Sequence, residues 1–204
     1  MLKSESKTTT VGLVTDKYVV LASDKRATAG SSVYHKAVKK IMKIDDRIAI
    51  TISGLVADAQ FLVEEARFIA KTYRFEHGKP ISTETISKYL SLILSYFLRR
   101  APFIVQLLVG GVDHSGPKLY YLDLYGTISS EKYMATGSGS PIAFGVLEEN
   151  YRENMDLEEA KNLAFRAVST ALSRDGFSGE GVDIAVIGPE GYFEESRMIK
   201  LMVR

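Results

Sequence analysis

Three consecutive threonines near the start of the chain are the residues best suited to covalent chemistry. The segment Thr8-Thr9-Thr10-Val11-Gly12 begins a predicted strand after only seven residues, so one cleavage after Lys7 would make Thr8 the N-terminal residue. A terminal threonine carries a nucleophilic hydroxyl and an α-amino group whose pKa is about 7.7–8.0, a usable base near neutral pH. Such a residue needs no histidine to act as the base that activates its hydroxyl. The same threonines would also suit an ordinary β-strand, and this segment alone does not decide between the two interpretations.

Other chemistries find little support in the sequence. The histidines His35, His77 and His114 stand alone in predicted turns without the spacing of metal ligands, so we expect surface residues and no metal site. The chain contains no GxxxxGK phosphate-binding loop, which excludes ATP hydrolysis by a site of that type. We expect no cofactor.

The composition is that of a soluble globular domain. The chain has 204 residues, of which 46% are hydrophobic and 25% charged, and these values favour one domain with a sizeable core. Its net charge of +1 gives no bulk attraction for nucleic acid or membrane lipid, so we expect neither as a partner. The absence of cysteine favours a reducing cytoplasm. Residues 1–7 lack the apolar region of a secretory signal, and no apolar run approaches the roughly 18 residues that a membrane span needs.

Strands and helix pairs alternate along the predicted chain. Period-two apolar patterns predict four strands before Gly54, which are Thr8–Val14, Tyr18–Ala22, Lys40–Ile44 and Arg47–Ile52. Helical spacing then predicts two helices, one from Val56 to Tyr73 with a stop at His77-Gly78, and one capped by Ser82 that ends at Phe97.

The second half repeats this order. Strands are predicted at Phe103–Val109 and Lys118–Leu124, on either side of a turn-rich segment from Gly110 to Pro117. Helices follow at Pro141–Tyr151 and Leu157–Leu172, the latter opened by an Asp156/Glu159 capping box, and the last strands are Val182–Ile187 and a short C-terminal run. The order predicts an α+β fold in four layers, with two antiparallel sheets face to face and a helix pair on each outer face.

The pattern of polar residues resembles the proteasome β family over nearly the full length. The mature chain of that family begins TTTVG, followed at fixed spacings by an acidic residue, a lysine and a glycine. Thr8, Asp24, Lys40 and Gly54 match those positions without a gap.

The C-terminal half carries two further segments of this resemblance. TGSGSP, from Thr136 to Pro141, resembles the family's GSG segment, and RDGFSG, from Arg174 to Gly179, resembles its RD-x-x-SG segment. Each match is weak alone, but together, in this order, they are specific. The resemblance implies an archaeal β-type subunit with the N-terminal-nucleophile hydrolase fold, a threonine endopeptidase that degrades unfolded proteins. It divides the chain into a leader at 1–7, removed by autocatalytic cleavage, and a peptidase domain at 8–204.

The resemblance also gives roles to the matched residues. Lys40 would place positive charge beside Thr8, favouring the neutral amine and the developing alkoxide, and Asp24 would hold the lysine. Gly54, at a strand-to-helix junction, would offer its N–H as an oxyanion donor. The terminal amine would be surrounded by Ser138, Asp175 and Ser178. Without the resemblance, a surface ion pair, a turn glycine and ordinary loop caps would explain the same residues.

The resemblance also implies an apolar pocket for the substrate residue before the cleaved bond, and therefore cleavage after large hydrophobic residues. Thr28 would offer main-chain hydrogen bonds to the substrate. The implied pocket residues are Ala27, Val38, Met42, Ile52 and Val56.

The implied partners are proteasome α subunits and other β subunits in stacked heptameric rings, with polypeptides as substrates. A separate ATP-dependent unfoldase would act indirectly, because this chain has no phosphate-binding loop of its own.

One position departs from the family pattern. The family usually has glycine before the nucleophile, where the scissile peptide bends sharply, but this chain has Lys7. If the bend needs a positive φ, a residue other than glycine costs about 1–2 kcal/mol and slows maturation. Three hypotheses stay open: an active threonine peptidase, a structural β subunit that retains its leader, and another N-terminal-nucleophile hydrolase such as the bacterial two-ring relative of the proteasome.

Overall fold

The computed structural model describes residues 8–29 and 32–198, and within them it contains two five-stranded sheets, a separate hairpin and four helices. In chain order the elements are β1 (Thr10–Val14), β2 (Val19–Asp24), β3 (Ala27–Ala29), β4 (Ser32–His35), β5 (Ile41–Lys43), β6 (Ile48–Gly54), α1 (Val56–His77), α2 (Thr83–Phe97), β7 (Val105–Asp113), β8 (Gly116–Leu122), β9 (Ile128–Glu131), β10 (Tyr133–Thr136), α3 (Ser140–Asn150), α4 (Leu157–Leu172), β11 (Val182–Gly188) and β12 (Gly191–Arg197). The predicted leader, residues 1–7, lies outside the described residues.

The two sheets stack face to face between helix pairs. The first has the strand order β10-β1-β2-β11-β12 and the second the order β5-β6-β7-β8-β9, with antiparallel pairing throughout. Along β2, Val20 and Ala22 pack towards α3 and α4, whereas Val19 and Leu21 pack towards the second sheet. Both faces of the strand are apolar because both are covered. The predicted four-layer α+β sandwich is confirmed.

The helix ends follow their sequence signals. Ser82 Oγ accepts from the Thr85 amide at 3.1 Å, which caps α2. At the start of α4, Asp156 accepts from the Glu159 amide at 2.8 Å and Glu159 accepts from the Asp156 amide at 3.1 Å. These are the predicted cap and capping box, and each satisfies amides that the first turn leaves unpaired.

The predicted turn from Gly110 to Pro117 is wrong. Strand β7 continues to Asp113 and β8 starts at Gly116, so the turn itself is two residues long. The glycine at 110 serves close packing between the sheets, because a Cβ there would lie 2.7 Å from Cγ1 of Val19. Asp113 closes the short turn by accepting from the Ser115 amide at 2.8 Å.

Four strands were not predicted from the sequence: β3, β4, β9 and β10. Every residue of β4 is exposed, and β9 reads Ile-Ser-Ser-Glu, so neither strand shows a clear apolar alternation. Strand β10 pairs with β1 from Thr10↔Thr136 to Leu13↔Tyr133, and β1 itself starts at Thr10 rather than Thr8. Within the described residues, no helix is both long and apolar enough to cross a membrane.

Candidate active site

The carboxylate of Asp24 is the centre of the polar cluster. Asp24 is the last residue of β2 and is 0% exposed. Five groups donate to it: on Oδ1 the Thr8 hydroxyl at 2.6 Å, the Thr9 amide at 3.0 Å and Lys40 Nζ at 2.6 Å, and on Oδ2 the amides of Arg26 and Gly179, both at 3.1 Å. An acceptor surrounded only by donors suits an ionised carboxylate. Asp24 therefore joins the ends of several distant segments at one point.

Lys40 completes this buried ion pair. Its side chain is 7% exposed, and Nζ donates to both Asp24 Oδ1 and the Thr8 hydroxyl oxygen. The backbone of Lys40 is fixed just before β5, where its carbonyl accepts from the Ile52 amide at 2.9 Å. Burial lowers the pKa of the Lys40 ammonium below its ordinary value of 10.5, and the charge of Asp24 opposes that shift. Lys40 thus brings a positive charge into direct contact with the Thr8 hydroxyl.

The nitrogen of Thr8 points to a second polar group. In the full-length chain this atom is the amide nitrogen of the Lys7–Thr8 peptide, and it stands where an α-amine would lie after cleavage. It donates to Ser138 Oγ at 3.2 Å, and Ser138 in turn donates to Asp175 Oδ2 at 2.7 Å. The hydroxyl of Thr8 therefore contacts the ion pair of Asp24 and Lys40, whereas the nitrogen of Thr8 contacts a second network that ends at Asp175.

Ser178 joins the second network through Asp175 and also contacts the neighbouring residue Thr9. Its hydroxyl donates to Asp175 Oδ2 at 2.7 Å and lies 2.8 Å from the Thr9 hydroxyl. The structure thus brings Ser138, Asp175 and Ser178 together beside Thr8, although they are 40 residues apart in the sequence at the widest. Their roles in proton transfer stay a prediction.

The GSG segment wraps closely around Thr8. Gly137 has φ +91°, and a Cβ there would lie 2.2 Å from the Thr8 carbonyl oxygen, so this backbone position requires glycine. Two residues later, the Gly139 amide donates to the same carbonyl at 3.3 Å. The loop thereby fixes the carbonyl of Thr8 as well as its nitrogen.

Gly54 lies at the predicted strand-to-helix junction, because β6 ends there and α1 begins at Val56. Its φ is +113°, and a Cβ would lie 2.2 Å from the carbonyl oxygen of Ile104. The protein's own backbone therefore requires glycine here, whether or not a substrate approaches. The role of its N–H as an oxyanion donor stays a prediction.

The predicted pocket residues are distributed over several layers. Ala27 and Thr28 are half-buried in β3, and Val38, also half-buried, donates its amide to the Lys25 carbonyl at 2.9 Å. Met42 and Ile52 belong to one apolar cluster beneath α1 and α2. Ile52 is 5% exposed and Val56 is 48% exposed, and the role of these residues in a substrate pocket stays a prediction.

The side chain of Arg26 binds a neighbouring loop, whereas only its backbone amide contacts Asp24. Its guanidinium donates to Glu180 Oε1 from Nε at 3.0 Å and from Nη2 at 2.8 Å, and to the Gly176 carbonyl at 3.0 Å. Glu180 has φ +72°, an uncommon conformation for a residue other than glycine. Arg26 therefore holds the loop that delivers Asp175, Ser178 and the Gly179 amide.

Sequence reasoning missed three contributors to the site. Thr9 and Gly179 contribute backbone amides to Asp24, and sequence carries no signal for a backbone donor. Gln106 accepts from the Gly137 amide at 3.2 Å. It was detectable, because it is the one polar residue in the apolar run from Phe103 to Gly110. Among residues 8–29 and 32–198, no group of three or more His, Cys, Asp or Glu could hold a metal ion.

Comparison with known proteins gives one consistent family. A sequence model for the family described as "Proteasome subunit" matches residues 5–187. A protein named "Proteasome subunit beta 2" from Desulfurococcus amylolyticus is 66% identical over 200 residues, covering 98% of this chain and 97% of the relative. Proteins of the same name are 64% identical in Staphylothermus marinus, covering 97% and 95%, and 53% identical in Ignicoccus hospitalis, covering 90% and 86%.

Asp24→Asn is expected to destabilise the chain by roughly 3–5 kcal/mol near neutral pH, because Lys40 is left buried without its counter-charge. Loss of the Asp24 charge also lowers the pKa of Lys40 further, so the variant releases that proton at a lower pH than the wild type. The difference in free energy of unfolding between the wild type and Asp24→Asn should therefore shrink as pH rises towards 10.5.

Urea unfolding of both proteins at about pH 7 and about pH 9.5 measures this change. Glu84→Gln, which removes the exposed Glu84–Lys88 pair, is the control and should cost less than about 0.5 kcal/mol. A stability difference that stays the same at the two pH values would contradict the assignment of Lys40 as the group that titrates.

Proposed function

The chain belongs to the proteasome subunit family, among the archaeal β subunits, and from that premise we propose that it is a catalytic subunit whose nucleophile is Thr8. The observation that carries the proposal is the position of the Thr8 hydroxyl, in direct contact with both Lys40 and Asp24. A structural subunit has no need of a buried ion pair around a hydroxyl, since such a pair is costly to bury. A nucleophile needs the pair to stabilise its alkoxide.

In the proposed reaction the Thr8 hydroxyl oxygen attacks the substrate carbonyl carbon. The hydroxyl proton passes to the free α-amine of mature Thr8, whose pKa of about 7.7–8.0 suits a base near neutral pH. Lys40 stabilises the developing alkoxide with its charge, and Asp24 keeps the ammonium in place. Ser138 and Asp175 orient the amine through the contact that the Thr8 nitrogen already makes. The Gly54 N–H is the proposed donor to the oxyanion.

Leader removal uses the same oxygen in the precursor. We propose that Thr8 Oγ1 attacks the carbonyl carbon of Lys7, which gives an ester at Thr8 and frees its nitrogen as an amine. Water then hydrolyses the ester and releases residues 1–7. The α-amine does not exist before this step, so Lys40 is the nearest amine that can assist, and its lowered pKa favours that role.

The proposed substrates are unfolded polypeptides cut after large hydrophobic residues. The support is the apolar character of Ala27, Val38, Met42 and Ile52, among which no acidic group would hold a basic side chain. We place this activity in the cytoplasm, in keeping with a chain that lacks cysteine.

We also propose assembly with α subunits and further β subunits in stacked heptameric rings, with an unfoldase as indirect supplier of substrate. The described chain exposes large aromatic side chains along α1, with Phe68 at 65% and Phe75 at 92%. Exposed aromatic surface of this kind marks interaction sites. Helix α3 is the second candidate contact surface.

Mixing the chain with a cognate α subunit should give a particle far heavier than either monomer, by native mass spectrometry. Phe68→Ser together with Phe75→Ser should weaken that assembly, because both aromatic rings are exposed in the free chain and would be buried at a contact. Glu84→Gln, at an exposed position on α2 and away from both candidate contact surfaces, is the surface control. A chain that stays monomeric with every cognate α subunit tested would refute the assembly proposal.

Lys40→Ala should abolish peptidase activity and leader removal together, because both reactions need the same activated Thr8 hydroxyl. The loss should be at least roughly a thousandfold, as expected for a group in contact with the nucleophile. The measurement is hydrolysis of a peptide with a hydrophobic residue before the cut, combined with the mass of the β chain in the assembled particle.

Lys39→Ala is the matched control for that variant. Lys39 is the neighbouring lysine, but it is exposed and pairs with Glu194 at 2.7 Å, so both activities should persist. Retained hydrolysis by a fully assembled Lys40→Ala particle would show that the charge assignment is wrong.

Lys7→Gly should mature faster than the wild type, by roughly 5–30-fold if the bent peptide costs a residue other than glycine about 1–2 kcal/mol. Lys7 lies outside the described residues, so the prediction rests on its sequence position. A time course of the appearance of the Thr8 N-terminus measures both rates, with Thr8→Ala as the uncleavable control. Equal rates would exclude a role for Lys7, and a leader that persists in both would favour the structural subunit.

A further inference from the structure

The loop that holds Thr8 extends from the edge of a sheet. Within residues 8–29 and 32–198, strand β10 pairs with β1 alone. The residues after it, 137–139, contact the nitrogen and carbonyl of Thr8. An edge strand has a neighbour on one side only, so its end is held more weakly than a central strand. Accurate placement of Thr8 therefore requires a second support for this loop.

Gln106 provides a contact of that kind from the opposite sheet. It lies on β7, the central strand of the second sheet, opposite Ser53 on β6. Its Oε1 accepts from the Gly137 amide at 3.2 Å, and its Nε2 lies 3.2 Å from the Tyr121 hydroxyl. Because a backbone N–H can only donate, the amide oxygen must face Gly137, which leaves the NH₂ group for Tyr121.

The contact continues directly to the nucleophile. Gly137 packs against the Thr8 carbonyl so closely that a Cβ would lie 2.2 Å from its oxygen, and the next residue, Ser138, accepts from the Thr8 nitrogen. A shift of Gly137 would therefore move the groups that hold Thr8. We propose that Gln106 is a positioning residue for Thr8, acting through the Gly137 amide without contacting the nucleophile itself. The inference rests on the proposed catalytic function.

A cluster of buried hydroxyls makes the effect of Gln106 separable from folding. Thr136 Oγ1 lies 2.7 Å from the Thr10 hydroxyl and 2.8 Å from the Ser53 hydroxyl, and Thr10 lies 3.0 Å from the Thr51 hydroxyl. These contacts join the end of β10 to the second sheet one residue before the loop. Loss of the Gln106 side chain would thus leave Thr136 in place and release only the residues that follow it.

The test compares Gln106→Met, which keeps the length of the side chain but removes its acceptor, with Gln106→Glu, which keeps an acceptor for Gly137. In the assembled particle, Gln106→Met should lower kcat by roughly 10- to 100-fold with KM nearly unchanged, because the nucleophile is misplaced while the substrate pocket is intact. Gln106→Glu should restore most of the rate.

Amide hydrogen exchange supplies a readout that is independent of activity. The Gly137 amide should exchange roughly tenfold faster in Gln106→Met than in the wild type or in Gln106→Glu. Tyr121→Phe removes only the other partner of Gln106 and is the matched control, with a smaller effect on both exchange and kcat. Unchanged exchange at Gly137, or faster exchange with an unchanged kcat, would overturn the inference. An inactive wild-type particle would refute the proposed function instead, and the exchange rates would still decide whether Gln106 holds the loop.

Discussion

The buried pair between Asp24 and Lys40 is the interaction on which the site depends. Two charges withdrawn from water are stable only when each is fully compensated, and the carboxylate meets this condition with five donors from four segments. The start of the chain, the end of β2, the residue before β5 and the loop after α4 must therefore arrive together. Their convergence is also what places Lys40 on the Thr8 hydroxyl, so the stability of the pair and the proposed reactivity share one cause.

The layers of the fold explain how these segments can meet. Asp24 ends a strand that has neighbours on both sides, and the Gly139 and Gly137 positions follow an edge strand that needs contacts from elsewhere. The second sheet supplies them through Gln106 and the hydroxyl of Ser53. The sandwich thus holds Thr8 from two independent sheets, and the positive φ of Gly54 and Gly137 marks where backbone packs against backbone.

Much of this arrangement could be predicted from sequence. The four helices, the α+β class and two helix caps follow from apolar period and capping residues, although periodicity alone does not fix the layering. The family resemblance indicated Thr8, Asp24 and Lys40. Strand β10 could not be predicted, because an edge strand with polar neighbours shows no clear alternation. The amides of Thr9 and Gly179 carry no residue-type signal, and the requirement for glycine at position 54 comes from the Ile104 carbonyl, a tertiary contact.

In the proposed reaction a free Thr8 residue, held by Asp24 and Lys40, performs the hydrolysis. N-terminal sequencing of the β chain in particles that hydrolyse a peptide is the decisive measurement. The chain in active particles should start Thr-Thr-Thr-Val-Gly, at Thr8, because only then is the nitrogen beside Ser138 a basic amine. Peptide hydrolysis at full rate by particles whose β chains all begin before Thr8 would contradict it.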